Sequence, residues 1–146
     1  MHTAILRKLI NTGKARSKYS ELAKKDGEVD VDDRYSLPNL YAQGTSKHAK
    51  AFNCAQRSHQ HIFETYTLAV VSGIAGAFTF PICSSISSLI YGVGRYYLSR
   101  GYLESEGDAS KRYVYSMGKY MWYGLLGNAF LGTASCIVLM TGGKKK

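Results

Sequence analysis

Phe52-Asn53-Cys54-Ala55-Gln56-Arg57-Ser58-His59-Gln60-His61-Ile62-Phe63-Glu64 leads without a break into Ile62–Phe80, nineteen residues whose only charge is Glu64. On a helix, Asn53, Arg57, His61 (or Gln60) and Glu64 share one face, because steps of four and three residues return to the same side. An ionisable cluster that continues into a hydrophobic span is costly in lipid, so it faces a protein interior or a ligand. The stretch predicts an integral membrane helix with a candidate anion site at one interface.

Working outward, the 146-residue chain has one compositional break, near residue 51. Polar and charged sequence precedes it; three apolar stretches with short links follow. The mean hydropathy of −0.18 averages over the two parts. The expected organisation is a basic N-terminal extension (1–51) followed by one membrane domain (52–146). That domain would hold three transmembrane helices at about 52–80, 82–101 and 112–141. The fold class is all-α, an integral membrane helical bundle.

The first span, Ile62–Phe80, ends at Pro81, and the second begins at Ile82, so the two form a tight antiparallel hairpin. The third, Tyr120–Met140, contains one amide, Asn128. Small residues recur at four-residue steps: Ala69, Gly73 and Ala77; Ser84, Ser88 and Gly92; Gly124, Asn128, Gly132 and Cys136. Such rows let helices approach closely in lipid, and Asn128 can add a hydrogen bond between them. Tyr91, Tyr96, Tyr97, Tyr102, Tyr113, Tyr115, Tyr120, Trp122 and Tyr123 read as an interfacial aromatic belt.

A net charge of +9 raises nucleic acid as a partner, and the pattern rejects it. Lys and Arg gather at the ends of apolar spans, where they meet anionic headgroups and set topology. No nucleic-acid-binding motif is present. Ten Lys or Arg lie in residues 1–51, none in the 80–82 turn and three in the 100–112 link. The extension and that link therefore share the cytosolic or matrix side. The Lys144-Lys145-Lys146 tail, on the opposite side, reads as solvated or headgroup-binding. Cys54, Cys83 and Cys136 are odd in number and form no short ligand pair, which indicates neither a disulfide framework nor a zinc site.

In the extension, Met1–Ser20 holds Arg7, Lys8, Lys14, Arg16 and Lys18 and no acid. This composition is transit-like, with no cleaved leader expected, and a mitochondrial address is one reading. Thr3–Leu22 can be helical, Lys24–Asp33 is a charged stretch unsuited to burial, and Ser36–Tyr41 reads as an extended segment.

From Tyr35 to about Cys136 the sequence resembles the MAPEG superfamily, and most closely its type-3 microsomal glutathione transferases. The fragments that carry the resemblance are Phe52-Asn53-Cys54 with Arg57, His59-Gln60 and Glu64, then Arg95, Gly101-Tyr102 and Ser110-Lys111-Arg112, with Lys14–Tyr19 upstream. The resemblance implies a four-helix protomer, assembled as a homotrimer in the lipid bilayer of the endoplasmic reticulum or the mitochondrion, with glutathione bound near one membrane face. Arginine forks suit its carboxylates and Glu64 its ammonium. By similarity, Arg16, Asn53, Arg57, His59, His61, Glu64, Arg95, Tyr102 and Lys111 would surround the tripeptide. Arg112 would be the catalytic cation that lowers the thiol pKa, so that the thiolate attacks a lipophilic electrophile or lipid hydroperoxide. No metal is expected.

The chain departs from the family pattern at four places, one being the segment before Ser110, longer by about two residues than that pattern. His61 replaces an asparagine, and Leu98 stands where a tyrosine precedes the Gly-Tyr pair. About thirteen residues precede Lys14, covering about 20 Å against a hydrocarbon core of about 30 Å. The first transmembrane helix is thus shortened or lost. A second class stays open beside the enzyme: a non-catalytic descendant serving as an accessory subunit among unrelated chains of a larger membrane complex, such as one of the mitochondrial inner membrane respiratory chain. Arg57 and Glu64 would then be an interfacial ion pair.

Overall fold

The computed structural model describes residues 12–142. The Arg7-Lys8 interruption, the start of the expected Thr3–Leu22 helix and the lysine tail lie outside the described residues. Within them all the regular structure is helical: α1 (Thr12–Lys25), α2 (Val31–Arg34), α3 (Lys47–Ala77), α4 (Pro81–Glu104) and α5 (Tyr120–Gly142). Two 3-10 turns, Ala109–Tyr113 and Ser116–Lys119, join α4 to α5. The helices belong to two compact units. One takes in the chain up to His61 with Ser99–Val114, the other Ile62–Leu98 with the chain from Tyr115 onward.

In the first unit, α1 is polar and buries one stripe, Ala15, Tyr19 and Ala23, at four-residue steps. Its end is a Schellman motif. Gly27 adopts φ 74°, and the amides of Gly27 and Glu28 donate to Lys24 O and Ala23 O. The stripe packs with Val31, Tyr35, Ala42, Ala49 and Phe52. Helix α3 starts where Ser46 caps it, its Oγ accepting from the Ala49 amide at 3.1 Å.

The segment 35–45 is held as a strap rather than as regular structure. Arg16 donates to Tyr35 O and Asn39 O, each at 2.7 Å, while its guanidinium covers the Phe52 ring at 4.8 Å. Asn53 completes the fastening, accepting from the Ala42 amide at 2.8 Å and donating to its carbonyl at 3.0 Å. Asn53→Ala leaves both Ala42 groups unanswered. It is expected to cost about 1–3 kcal/mol, read as a lower unfolding midpoint with faster amide exchange confined to residues 36–44.

The second unit is a bundle of three helical segments with its polarity inverted relative to a water-soluble protein. Its interior holds Ser84, Ser135 and Asn128, each no more than 2% exposed, with Ala69, Gly124 and Gly132. Its exterior is Phe63, Leu68, Val71, Ile74, Phe78, Ile86, Leu89, Leu126, Phe130 and Val138. A surface of this kind is stable only where the solvent is itself apolar. Among the described residues one helical stretch, Ser116–Gly142, is long and apolar enough to cross a bilayer by composition alone. Helices α3 and α4 fall below that measure because polar groups such as His61, Glu64 and Arg95 dilute their runs.

The first expected span ends earlier than Phe80. Helix α3 stops at Ala77, residues 78–80 turn, and Pro81 opens α4. The residue before a proline avoids the helical region, whereas proline itself fits a first helical position, where no amide hydrogen is needed.

The expected seam on α5 holds at Gly124, Asn128 and Gly132 but not at exposed Cys136; the one on α3 fails at exposed Ala77 and the one on α4 at exposed Gly92. A Cβ on Gly124 would run into Tyr91 and Ser87 backbone, and one on Gly132 would meet Ser72 O at 2.7 Å. Asn128 donates to Ser88 Oγ at 3.1 Å and Ala69 O at 3.4 Å, and Thr79 pairs with Ser135 at 2.7 Å. On α4, Ser88 bonds Asn128 of α5 and buried Ser84 faces Gly76 of α3, while Ser87, Tyr91 and Gly94 make the close backbone approach to α5. Nothing lies within 4 Å of a Cβ on Gly92. Size alone does not tell a helix which small residues face its neighbour.

Candidate functional site

The sequence-predicted residues divide between the units. Arg16, Asn53, Arg57, His59, His61, Tyr102, Lys111 and Arg112 belong to the first, and Glu64 and Arg95 to the second. Arg57, His59, His61 and Glu64 all lie on α3. Arg57 and His59 are half-buried, His61 is buried and Glu64 exposed. Arg95 and Tyr102 are buried on α4. Arg16 and Asn53 are occupied by the strap, as described above.

The turn that carries the two basic residues is built locally. Asp108 caps it, accepting from the Ser110 amide at 3.0 Å and the Ser110 hydroxyl at 2.6 Å. These bonds, with Lys111 nearby, hold the Asp108 carboxyl below its ordinary value of 3.8. Lys111 pairs with Asp108 at 3.7 Å and is exposed. Half-buried Arg112 donates to Ala109 O at 3.1 Å and lies 5.0 Å over the Tyr113 ring. Both contacts orient its guanidinium. Sequence reasoning missed the cap, although Asp-Ala-Ser before a basic run carries the Asx-turn signal.

A depressed carboxylate stabilises the folded turn above its unfolded pKa, and the contribution disappears as pH falls through the folded value. Acidification below about 3.8 is therefore expected to fray Ala109–Tyr113. The readout is amide exchange at Ser110, and Asp108→Ala should abolish the pH dependence.

Gly101 explains how the turn meets α4. A Cβ there would collide with the Arg112 carbonyl and approach its Cα to 3.3 Å. Only glycine lets the Arg112 backbone lie directly on α4, so the Gly101-Tyr102 pair seats the turn. Nearby, burial foremost, then Cys54 and Glu106, raise the Tyr19 pKa. Burial and Glu28 likewise raise that of Tyr35, Arg34 opposing. Both phenols thus stay protonated at neutral pH.

Two further features complete the inventory. Among the described residues no three of His, Cys, Asp and Glu come together as a metal site. In the second unit a groove of about 490 Å³ opens beside α3 and α4, lined by Tyr66, Gly73, Ser88, Tyr91, Gly92 and Asn128 among others. None of the sequence-predicted site residues lines it.

An all-helical chain whose second unit is apolar outside and polar inside defines a helical membrane bundle. A family model described as MAPEG family matches residues 8–131, and the chain belongs to that family. It is therefore a membrane protein, of a family whose members use glutathione and often form trimers. No curated protein and no solved structure matches the chain.

Proposed function

We propose that the chain is a glutathione-dependent membrane transferase or peroxidase, most similar to the type-3 microsomal branch of its family. The observation that carries the reading is family membership across residues 8–131. The basic residues in the first unit supply the chemistry. Arg57 receives a glutathione carboxylate through its fork, and His59, His61, Tyr102 and Lys111 of the same unit add polar contacts. Arg112, oriented by Ala109 O and Tyr113, holds the sulfur as thiolate. Arg16 and Asn53 enter as braces of the unit rather than as ligands.

The reaction follows from ionisation. A free thiol near pKa 8.5 is only a few per cent thiolate at neutral pH, and an adjacent cation raises that fraction. The sulfur lone pair then attacks an electrophilic carbon, forming a C–S bond as the leaving group departs. With a hydroperoxide the sulfur attacks the outer oxygen instead. The O–O bond breaks, an alcohol leaves, and a second glutathione reduces the resulting sulfenate to water and disulfide.

The test is ultraviolet difference absorbance of purified protein titrated with glutathione. A thiolate band that saturates with glutathione supports the reading; binding without the band, or no binding, overturns it. A second reading, a non-catalytic accessory subunit, is favoured by Arg16 and Asn53 being committed to the strap and by Leu98 being buried where the family pattern has tyrosine. Copurification with unrelated membrane subunits, together with a silent glutathione titration, would establish it.

A further inference from the structure

We infer that the α3–α4 turn, residues 78–83, is submerged among lipid acyl chains rather than projecting into water, and that α5 alone carries the second unit to the far interface. The level of the turn is set by one bond: Thr79 Oγ1 lies 2.7 Å from Ser135 Oγ on α5. Helix α5 continues past that level to Gly142. From Ser135 to Met140 the helix rises about 8 Å, at 1.5 Å per residue.

Over that extension Cys136, Ile137, Val138, Leu139 and Met140 are all exposed, on every side of the helix. A helix end that is apolar all round belongs in hydrocarbon. The hydrocarbon must therefore reach Met140, and it then covers the turn as well.

The turn is composed for that setting. No charged residue occurs between Glu64 and Arg95, and Phe78 and Ile82, on either side of Pro81, are about three-quarters exposed. Backbone polar groups are costly in lipid unless answered within the protein, and here they are answered locally. The amides of Thr79 and Phe80 donate to Gly76 O, and that of Ser84 donates to Phe80 O. Ser85 Oγ donates to Pro81 O at 2.8 Å, and Pro81 has no amide hydrogen to satisfy. Length agrees. From Glu64 to Ala77, the last residue of α3, is thirteen residues, about 20 Å of rise against a core of about 30 Å. From Tyr123 to Met140 is seventeen residues, about 26 Å.

Cys83, exposed beside Pro81, is the native reporter. The chain is reconstituted alone in phosphatidylcholine vesicles made leaky to small solutes, so that both faces meet the reagent. A charged, membrane-impermeant maleimide is compared with a lipid-soluble one, and modified peptides are identified by mass spectrometry. The reference is Gly142→Cys in a background with Cys54, Cys83 and Cys136 replaced by serine. A submerged turn predicts that both maleimides modify Cys83 about tenfold or more slowly than Gly142→Cys, since the reacting thiolate, like a charged reagent, is disfavoured in hydrocarbon. Equal rates with the charged reagent overturn the inference, as the turn is then in water. The unsubstituted chain keeps the test decisive should the serine background fold poorly: Cys83 is then compared with Cys136, which shares the lipid environment under the inference and should match it with both reagents.

Discussion

Arg112→Ala is expected to remove about nine-tenths of the thiolate absorbance of bound glutathione while leaving the tripeptide bound. Each unit by which a cation lowers the thiol pKa raises the ionised fraction about tenfold while that fraction is small, and a displacement of one unit is the least such a role requires. In the proposed site Arg57, not Arg112, receives the peptide's carboxylate, so affinity read by calorimetry is expected to change little. Arg112→Lys keeps the charge but loses the planar fork that holds Ala109 O and lies over Tyr113. It should recover part of the band. An unchanged band in Arg112→Ala would remove the activating role and leave Lys111 as the cation to examine. Loss of binding together with the band would make Arg112 a ligand for the peptide rather than for the sulfur.

Gly124→Val is expected to carry a large stability loss in the second unit. The first added carbon would lie 2.6 Å from Ser87 O and 2.7 Å from Tyr91 Cα. Both neighbours are helix backbone, which cannot turn aside as a side chain can. Relief requires α4 and α5 to separate, which would also disturb the Asn128 bonds to Ser88 and Ala69. Overpacking commonly costs about 1–3 kcal/mol, and opposition by backbone on two sides puts this site at the upper end, about 3 kcal/mol. The control is Gly92→Val, where a Cβ meets nothing within 4 Å and the expected change is within about 0.5 kcal/mol. Thermal unfolding in a single detergent compares them. Equal midpoints would mean that α4 and α5 are not packed on the Gly124 seam.

Much of the architecture was legible because it depends on local pattern. Ile62–Phe80 announced a helix by its run of apolar residues, although that helix stops at Ala77, and Pro81 announced the turn by its backbone restriction. Gly124, Asn128 and Gly132 marked the buried face of α5 because small residues at four-residue steps coincide there with a polar amide. On α4 the same rule was right for Ser84 and Ser88 and failed at Gly92. That Ser87, Tyr91 and Gly94 also pack against α5 follows from how closely two backbones approach.

The candidate site divides in the same way. Sequence by itself determined that Arg57, His61 and Glu64 share a helix with an apolar continuation, and that basic residues end the link before α5, since both follow from spacing and composition. Only the tertiary structure decided that Arg16 and Asn53 fasten a strap, and that Gly101 seats the Arg112 backbone on α4. The physical reason is that these are bonds and approaches between residues 11 to 23 positions apart. Hydrogen-bond partners across such separations are assigned by the meeting of helices, and no local periodicity encodes them.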